Sequence, residues 1–170
     1  FISFFMVPLY TYALTTSQFG TVDLIITTVN LFLPIASLSL FDAVFRFAMD
    51  KDADNSRVLT SGICTTLMLS MGVSLLSPLL GLLHIEYSGY FVAILISTAL
   101  FTLVQNFARA IGKTLTYAVA GIVNAITFAA LNILFLVYLK TGIVGYLESY
   151  LLAILCSLIY VCISLKIWRF

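Results

Sequence analysis

The residues best suited to chemistry lie on one short stretch. Gln105, Asn106, Arg109 and Lys113 follow Thr98 and Thr102 at helical spacing, so at 100° per residue they share about a quarter of a helix circumference. Gln105, Asn106 and Arg109 are too many strong hydrogen-bonders for one helix contact and suit the wall of a cavity, while the cations Arg109 and Lys113 suit a phosphate or pyrophosphate. Arg46 has two possible uses. It follows Asp42 by four residues and can pair with it along one helix face, or it can join Arg109 and Lys113 in a basic site for an anionic headgroup. Arg109 could instead snorkel to the membrane interface from the last helical turn. Asp23 has no cation near it in sequence, which leaves it either solvated at an interface or serving, like Asp42, as a cation or proton site.

Other chemistry lacks its residues. His84, Glu86 and Glu148 have no sequence neighbour that would complete a nucleophile and base, and no glycine-rich phosphate loop is present. Cys64, Cys156 and Cys162 lie in apolar runs without the close pairing of a metal knuckle, so they read as small hydrophobes. We therefore expect no enzyme activity, no metal and no cofactor. A net charge of +1 offers no general attraction to nucleic acid, so charge acts only through where it is placed.

These side chains must be positioned by membrane helices. The chain is 62% apolar and 9% charged, with a mean hydropathy of +1.16, whereas ordinary soluble domains carry about 25% charged residues. Residues 1–170 divide into six apolar segments. They run over about Phe1–Thr15, Phe19–Asp50, Arg57–Leu83, Tyr90–Gly112, Lys113–Leu139 and Tyr146–Trp168, and they predict an all-α polytopic membrane protein, a six-helix transmembrane bundle. The second is the longest: as one helix it would cover roughly 45 to 50 Å against a hydrocarbon layer of about 30 Å, so its charged C-terminal end should project into water. Ser17 is a candidate N-cap for it, and Pro34 should bend it. The first segment is short for a span, as expected of a helix that has lost one end. The polar stretch Asp50–Ser56 should lie in water.

The basic residues set an orientation. Of the eight Lys and Arg, all but Lys140 fall at connections on one side of such a bundle, which the positive-inside rule makes cytoplasmic. Asp23, Thr27, Asn30, Pro34 and Ser37 share a narrow arc on the second helix. The fifth aligns Tyr117, Gly121, Asn124 and Asn132, and the sixth aligns Ser149, Cys156, Ser157, Tyr160 and Ser164. Polar stripes on several helices could face one another around a hydrated cavity, with Asn30 and Asn124 on its wall. Single Asn, Ser and Thr residues also commonly just bond helix to helix.

Several runs resemble a known family. Pro8-Leu9-Tyr10-Thr11, Phe19-Gly20, Asp23-Leu24-Ile25, Leu33-Pro34-Ile35 and Asp42-Ala43-Val44-Phe45-Arg46-Phe47 are similar to the N-terminal signature of Wzx-like polysaccharide biosynthesis flippases. These belong to the superfamily that also contains the multidrug and toxin extrusion proteins (the MATE/MOP-type transporters). Gln105 to Lys113 looks like that family's fourth helix, and Gly142 with Gly145-Tyr146-Leu147 like the entry to its sixth. The resemblance implies the N-terminal lobe of a two-lobe transporter, with the C-terminal lobe of the same full-length chain as its partner. It implies export of a lipid-linked oligosaccharide, a diphosphate-linked glycan, across the bacterial inner membrane by alternating access among membrane lipids. Arg46 and Arg109 would then meet the headgroup, with Gln105 and Asn106 contacting sugar or phosphate. Tyr12 stands where many relatives have a basic residue, so a charge contribution from the first helix is not expected. The alternative is a cation- or proton-coupled exporter of small amphipathic compounds, using Asp23 and Asp42. A membrane-embedded sugar polymerase or glycosyltransferase fits less well, because no long polar loop is present to carry catalytic groups.

Overall fold

A computed structural model describes residues 2–50, 54–75 and 87–166. Within them are seven α-helices and no strand. In chain order they are α1 (Ile2–Ala13), α2 (Thr16–Ser37), α3 (Leu40–Ala48), α4 (Asn55–Ser74), α5 (Ser88–Ala110), α6 (Thr114–Asn132) and α7 (Gly142–Leu165). A π-helical turn, Ile133–Tyr138, continues α6. Phe1, Lys51, His84, Glu86, Trp168 and Arg169, together with the end of the third predicted segment, lie outside the described residues.

Four helical stretches, not six, are long and apolar enough to cross a bilayer among the described residues. They are Thr16–Ile35, Ser88–Ala110, Thr114–Tyr138 and Gly142–Leu165. The chain is thus all-helical with the makings of a membrane protein, and four of the six expected spans appear among the described residues. The 12 residues of α1 are too few to span, since a crossing needs about 20. α4 has the length, but Arg57 and the repeated Ser and Thr residues between Asn55 and Ser74 lower its apolar content.

The long second helix is two helices. Pro34 stays inside α2, and its carbonyl accepts the Leu38 N–H at 3.0 Å. The break comes four residues later, where Leu38 and Ser39 both take left-handed backbone angles, φ 43° and φ 61°. Each such non-glycine residue costs about 1–2 kcal/mol, so packing must hold the corner in place. Ser37 helps locally, because its hydroxyl also donates to the Pro34 carbonyl, at 3.2 Å. At about 1.5 Å per residue, the 22 residues of α2 cover roughly 33 Å, a bilayer's thickness with little overhang. α3 then turns back onto the bundle and buries Val44 and Ala48.

The start of α2 also differs from expectation. Its N-cap is Thr15, not Ser17. The Thr15 hydroxyl accepts the Gln18 N–H at 3.3 Å, while the Gln18 side chain accepts the Thr15 N–H at 3.0 Å. This reciprocal box satisfies two backbone donors at once. Asp54 caps α4 in the same spirit, accepting from the N–H groups of Ser56 and Arg57.

α5 is the hub. Of its spanning window 56% is buried, against 33% for α7 and 17% each for α2 and α6. One of its faces joins Leu103, Val104 and Phe107 to Val44 of α3, Leu59 of α4 and Val161 of α7. Another joins Phe91, Ile94 and Leu95 to Ile25 and Val29 of α2 and Leu147 of α7. α1 packs separately, with Met6, Tyr10 and Leu14 against Leu136 of the π turn. The outward surface carries Leu24, Leu31, Met68, Leu115, Ile122, Ile159 and Ile163, an apolar coat that suits lipid and not water.

Candidate functional site

The corner between α2 and α3 opens a notch against α5. Its volume is about 310 Å³, and Pro34, Ser37, Ser39, Asp42, Thr102 and Asn106 line it together with Leu33 and Phe41. Helical geometry explains why α5 contributes two residues here. Thr102 and Asn106 are one turn apart on the same face, and the Asn106 amide donates to the Thr102 carbonyl at 2.9 Å. That bond fixes the amide plane. Ser37 is fully buried, whereas Asp42 is exposed at the rim.

One turn further along the same pair of helices lies Arg109. Its guanidinium sits over the Phe45 ring of α3, 4.6 Å from the centroid, and 5.8 Å from the Tyr117 ring of α6. Contacts of this kind contribute about 0.5–1 kcal/mol at exposed positions and hold the cation's direction more than they hold the fold. Arg109 itself remains exposed, so its hydrogen-bond donors stay open to an anion. The spacing is a consequence of register: Asn106 to Arg109 and Asp42 to Phe45 are both steps of three.

The remaining candidates are dispersed. Arg46 and Lys113 are exposed, and Gln105 is half-buried. Asp42 and Arg46 form no ion pair; among the described residues the salt bridge found is Arg57 to Asp54. The four-residue spacing permits the Asp42 to Arg46 contact, but Asp42 is drawn to the notch instead. Asn30 and Asp23 are exposed on α2, outside the notch. Asn124 is half-buried on α6, and its side-chain oxygen accepts no hydrogen bond from any described residue.

The stripes of α2 and α5 meet in part at the notch, through Pro34 and Ser37 with Thr102 and Asn106, whereas described polar groups of α6 and α7 bond within or between those two helices. Ser149 and Ser157 of α7 are completely buried, and each hydroxyl donates to the carbonyl four residues earlier, at 2.7 and 2.9 Å. Asn132 of α6 does likewise, to the Phe128 carbonyl at 2.8 Å. Thr116 and Ser164 bond α6 directly to α7 at 3.1 Å. These residues let two helices approach closely and contribute packing, as small polar groups commonly do in bilayers. α2 differs: Asp23, Thr27, Asn30 and Pro34 all lie on its exposed surface. A span with that face toward hydrocarbon would be unfavourable, so protein or water must cover it.

Sequence reasoning did not find Ser39, Phe41 or Phe45. The one available signal was the run Ser37-Leu38-Ser39, two hydroxyls a turn beyond a proline, which favours a local break by competing for backbone partners. Nothing in sequence marks Phe45 as the platform for Arg109. Comparison with family models, with curated proteins and with solved structures finds no match to this chain.

Proposed function

We propose that this chain is a lobe of a membrane transporter, a flippase for lipid-linked oligosaccharide like the Wzx-like family its sequence resembles. The observation that supports the reading is the broken helix: α2 ends, just past its spanning stretch, in a polar notch, with the stacked guanidinium of Arg109 one turn away. Transporters commonly build binding sites where helices are discontinuous and their ends line a polar cavity. In this reading the diphosphate meets Arg109, with Arg46 and Lys113 adding charge around the mouth. Thr102, Gln105 and Asn106 offer hydrogen bonds to the first sugar. The exposed polar face of α2, including Asn30, turns toward a second lobe, and rocking of the two lobes alternates access. The basic connections face the cytoplasm of a bacterial inner membrane.

A second reading has its own support. Asp42 is the charged residue lining the notch, and a carboxylate beside hydroxyls and an amide suits a cation or proton better than a phosphate. That arrangement belongs to a cation-coupled exporter of the same superfamily. The deciding experiment measures surface glycan display in the host cell carrying Arg109→Ala or Asp42→Asn. Loss of display with Arg109→Ala, and retention with Asp42→Asn, supports the flippase. The opposite pattern removes it in favour of the exporter.

A further inference from the structure

A second groove of about 310 Å³ lies between α3 and α4, apart from the notch. Leu40, Ala43, Val44 and Phe47 form one wall and Val58 part of the other, with the Arg57 side chain at the rim. Gly62 also lines it: a β-carbon there would come 2.9 Å from Val44 of α3 and 3.5 Å from Leu103 of α5. Leu103 stands within the last two turns of the α5 span, so the groove lies near the membrane boundary at that end of the bundle.

We infer that this groove binds an anionic phospholipid, with an acyl chain against the α3 wall and the phosphate on Arg57. The charge and the apolar surface are complementary to that one class of molecule. Arg57 is 87% exposed, and its pairing with Asp54 uses Nε, at 3.1 Å. Both terminal nitrogens therefore keep their donors, and no described residue accepts from them. A guanidinium presented this way matches two phosphate oxygens, and basic pockets beside spanning helices are suited to acidic headgroups. The apolar wall selects a lipid over free phosphate. This inference rests on the membrane character of the helices and not on the transport reading.

The test uses the purified chain in detergent, incubated with phosphatidylglycerol or phosphatidylcholine, with retained lipid counted by native mass spectrometry after gel filtration. Wild type should retain phosphatidylglycerol over phosphatidylcholine. Arg57→Gln should lower the retained phosphatidylglycerol by about fivefold, the ratio matching about 1 kcal/mol per surface cation. Ala43→Trp, which fills the groove, should lower it without touching the charge, and unchanged thermal unfolding of Arg57→Gln excludes a folding defect. Inorganic phosphate at millimolar concentration should not displace the lipid. Equal retention of both lipids, or undiminished retention in both variants, overturns the proposal. So does displacement by phosphate alone, or disulfide-linked pairs of chains from Ser61→Cys, which would make the groove a contact between copies.

Discussion

Arg109 of α5 rests 4.6 Å above the ring of Phe45 of α3, so one aromatic residue on a nine-residue helix fixes the direction of the bundle's best-placed cation. α3 can supply that ring only because the chain turns at Leu38 and Ser39. Had α2 run on as a straight helix, Phe45 would have projected beyond the membrane boundary and Arg109 would have had the Tyr117 ring alone. Site and corner are therefore one structural unit.

Phe45→Leu should free the guanidinium while keeping most of the apolar packing. Loss of the stack costs about 0.5–1 kcal/mol, so thermal unfolding in detergent should shift only slightly. Arg109 should react faster with phenylglyoxal, as mapped by peptide mass spectrometry. An unchanged reaction rate would show that Tyr117 is sufficient to hold it.

The corner itself is testable through backbone strain. Ser39→Gly suits φ 61° and removes the left-handed penalty, so stability should stay level or rise by up to about 1 kcal/mol. Ser39→Val places a β-branched residue in the same conformation and should lower stability by more than 1 kcal/mol, on the order of the usual strain cost. Thermal midpoints that ranked the two variants the other way would mean that the corner is not left-handed in the membrane.

Two glycines should behave in opposite ways on replacement by alanine. At Gly62 the added carbon meets Val44 at 2.9 Å, and overpacking of this kind costs about 1–3 kcal/mol. Val44→Ala in the same chain should recover part of the loss. Gly121 has nothing within 4 Å, so Gly121→Ala should stabilise α6 by up to about 1 kcal/mol through helix propensity. Denaturant unfolding of Gly62→Ala, Val44→Ala, their double variant and Gly121→Ala measures both effects, and non-additivity between positions 62 and 44 is the expected sign of direct contact.

Asn132 is fully buried, and its side-chain oxygen has no partner among the described residues. An unmet acceptor costs about 1–3 kcal/mol, and the amide's one bond goes to a carbonyl of its own helix. Asn132→Leu should therefore raise the thermal midpoint. A fall would reveal a bound water or another group that the oxygen receives. The residue immediately precedes the π turn, in which the Leu139 N–H reaches back five residues to Leu134 at 3.0 Å, so the same variant reports on how that turn is held.

Glycine spacing shows a further limit of pattern reading. Gly145 looks like one more small residue in an apolar run, yet a β-carbon on it would strike the Thr141 hydroxyl and come 3.0 Å from Phe135. Thr141 donates both its N–H and its hydroxyl to the Phe135 carbonyl, each at 3.0 Å. The turn between α6 and α7 is thus tied to the π segment, and only the folded arrangement makes Gly145 a close-packed position.

By itself the sequence determined the class of the protein. Scarce charge and long apolar runs leave helices as the structure that satisfies every backbone group in a bilayer, and α5, α6 and α7 appear within a few residues of where those runs place them. Individual side-chain types also reported correctly which positions are polar. What tertiary structure alone decided was direction: the serines of α7 bond their own backbone, Asp42 goes to the notch and not to Arg46, and Arg109 goes to an aromatic ring. The physical reason is that helical periodicity assigns residues to a face of one helix, whereas the partner of that face depends on how neighbouring helices cross. Here the turn of α3 onto α5 follows from two left-handed residues, Leu38 and Ser39, that are themselves neither glycine nor proline.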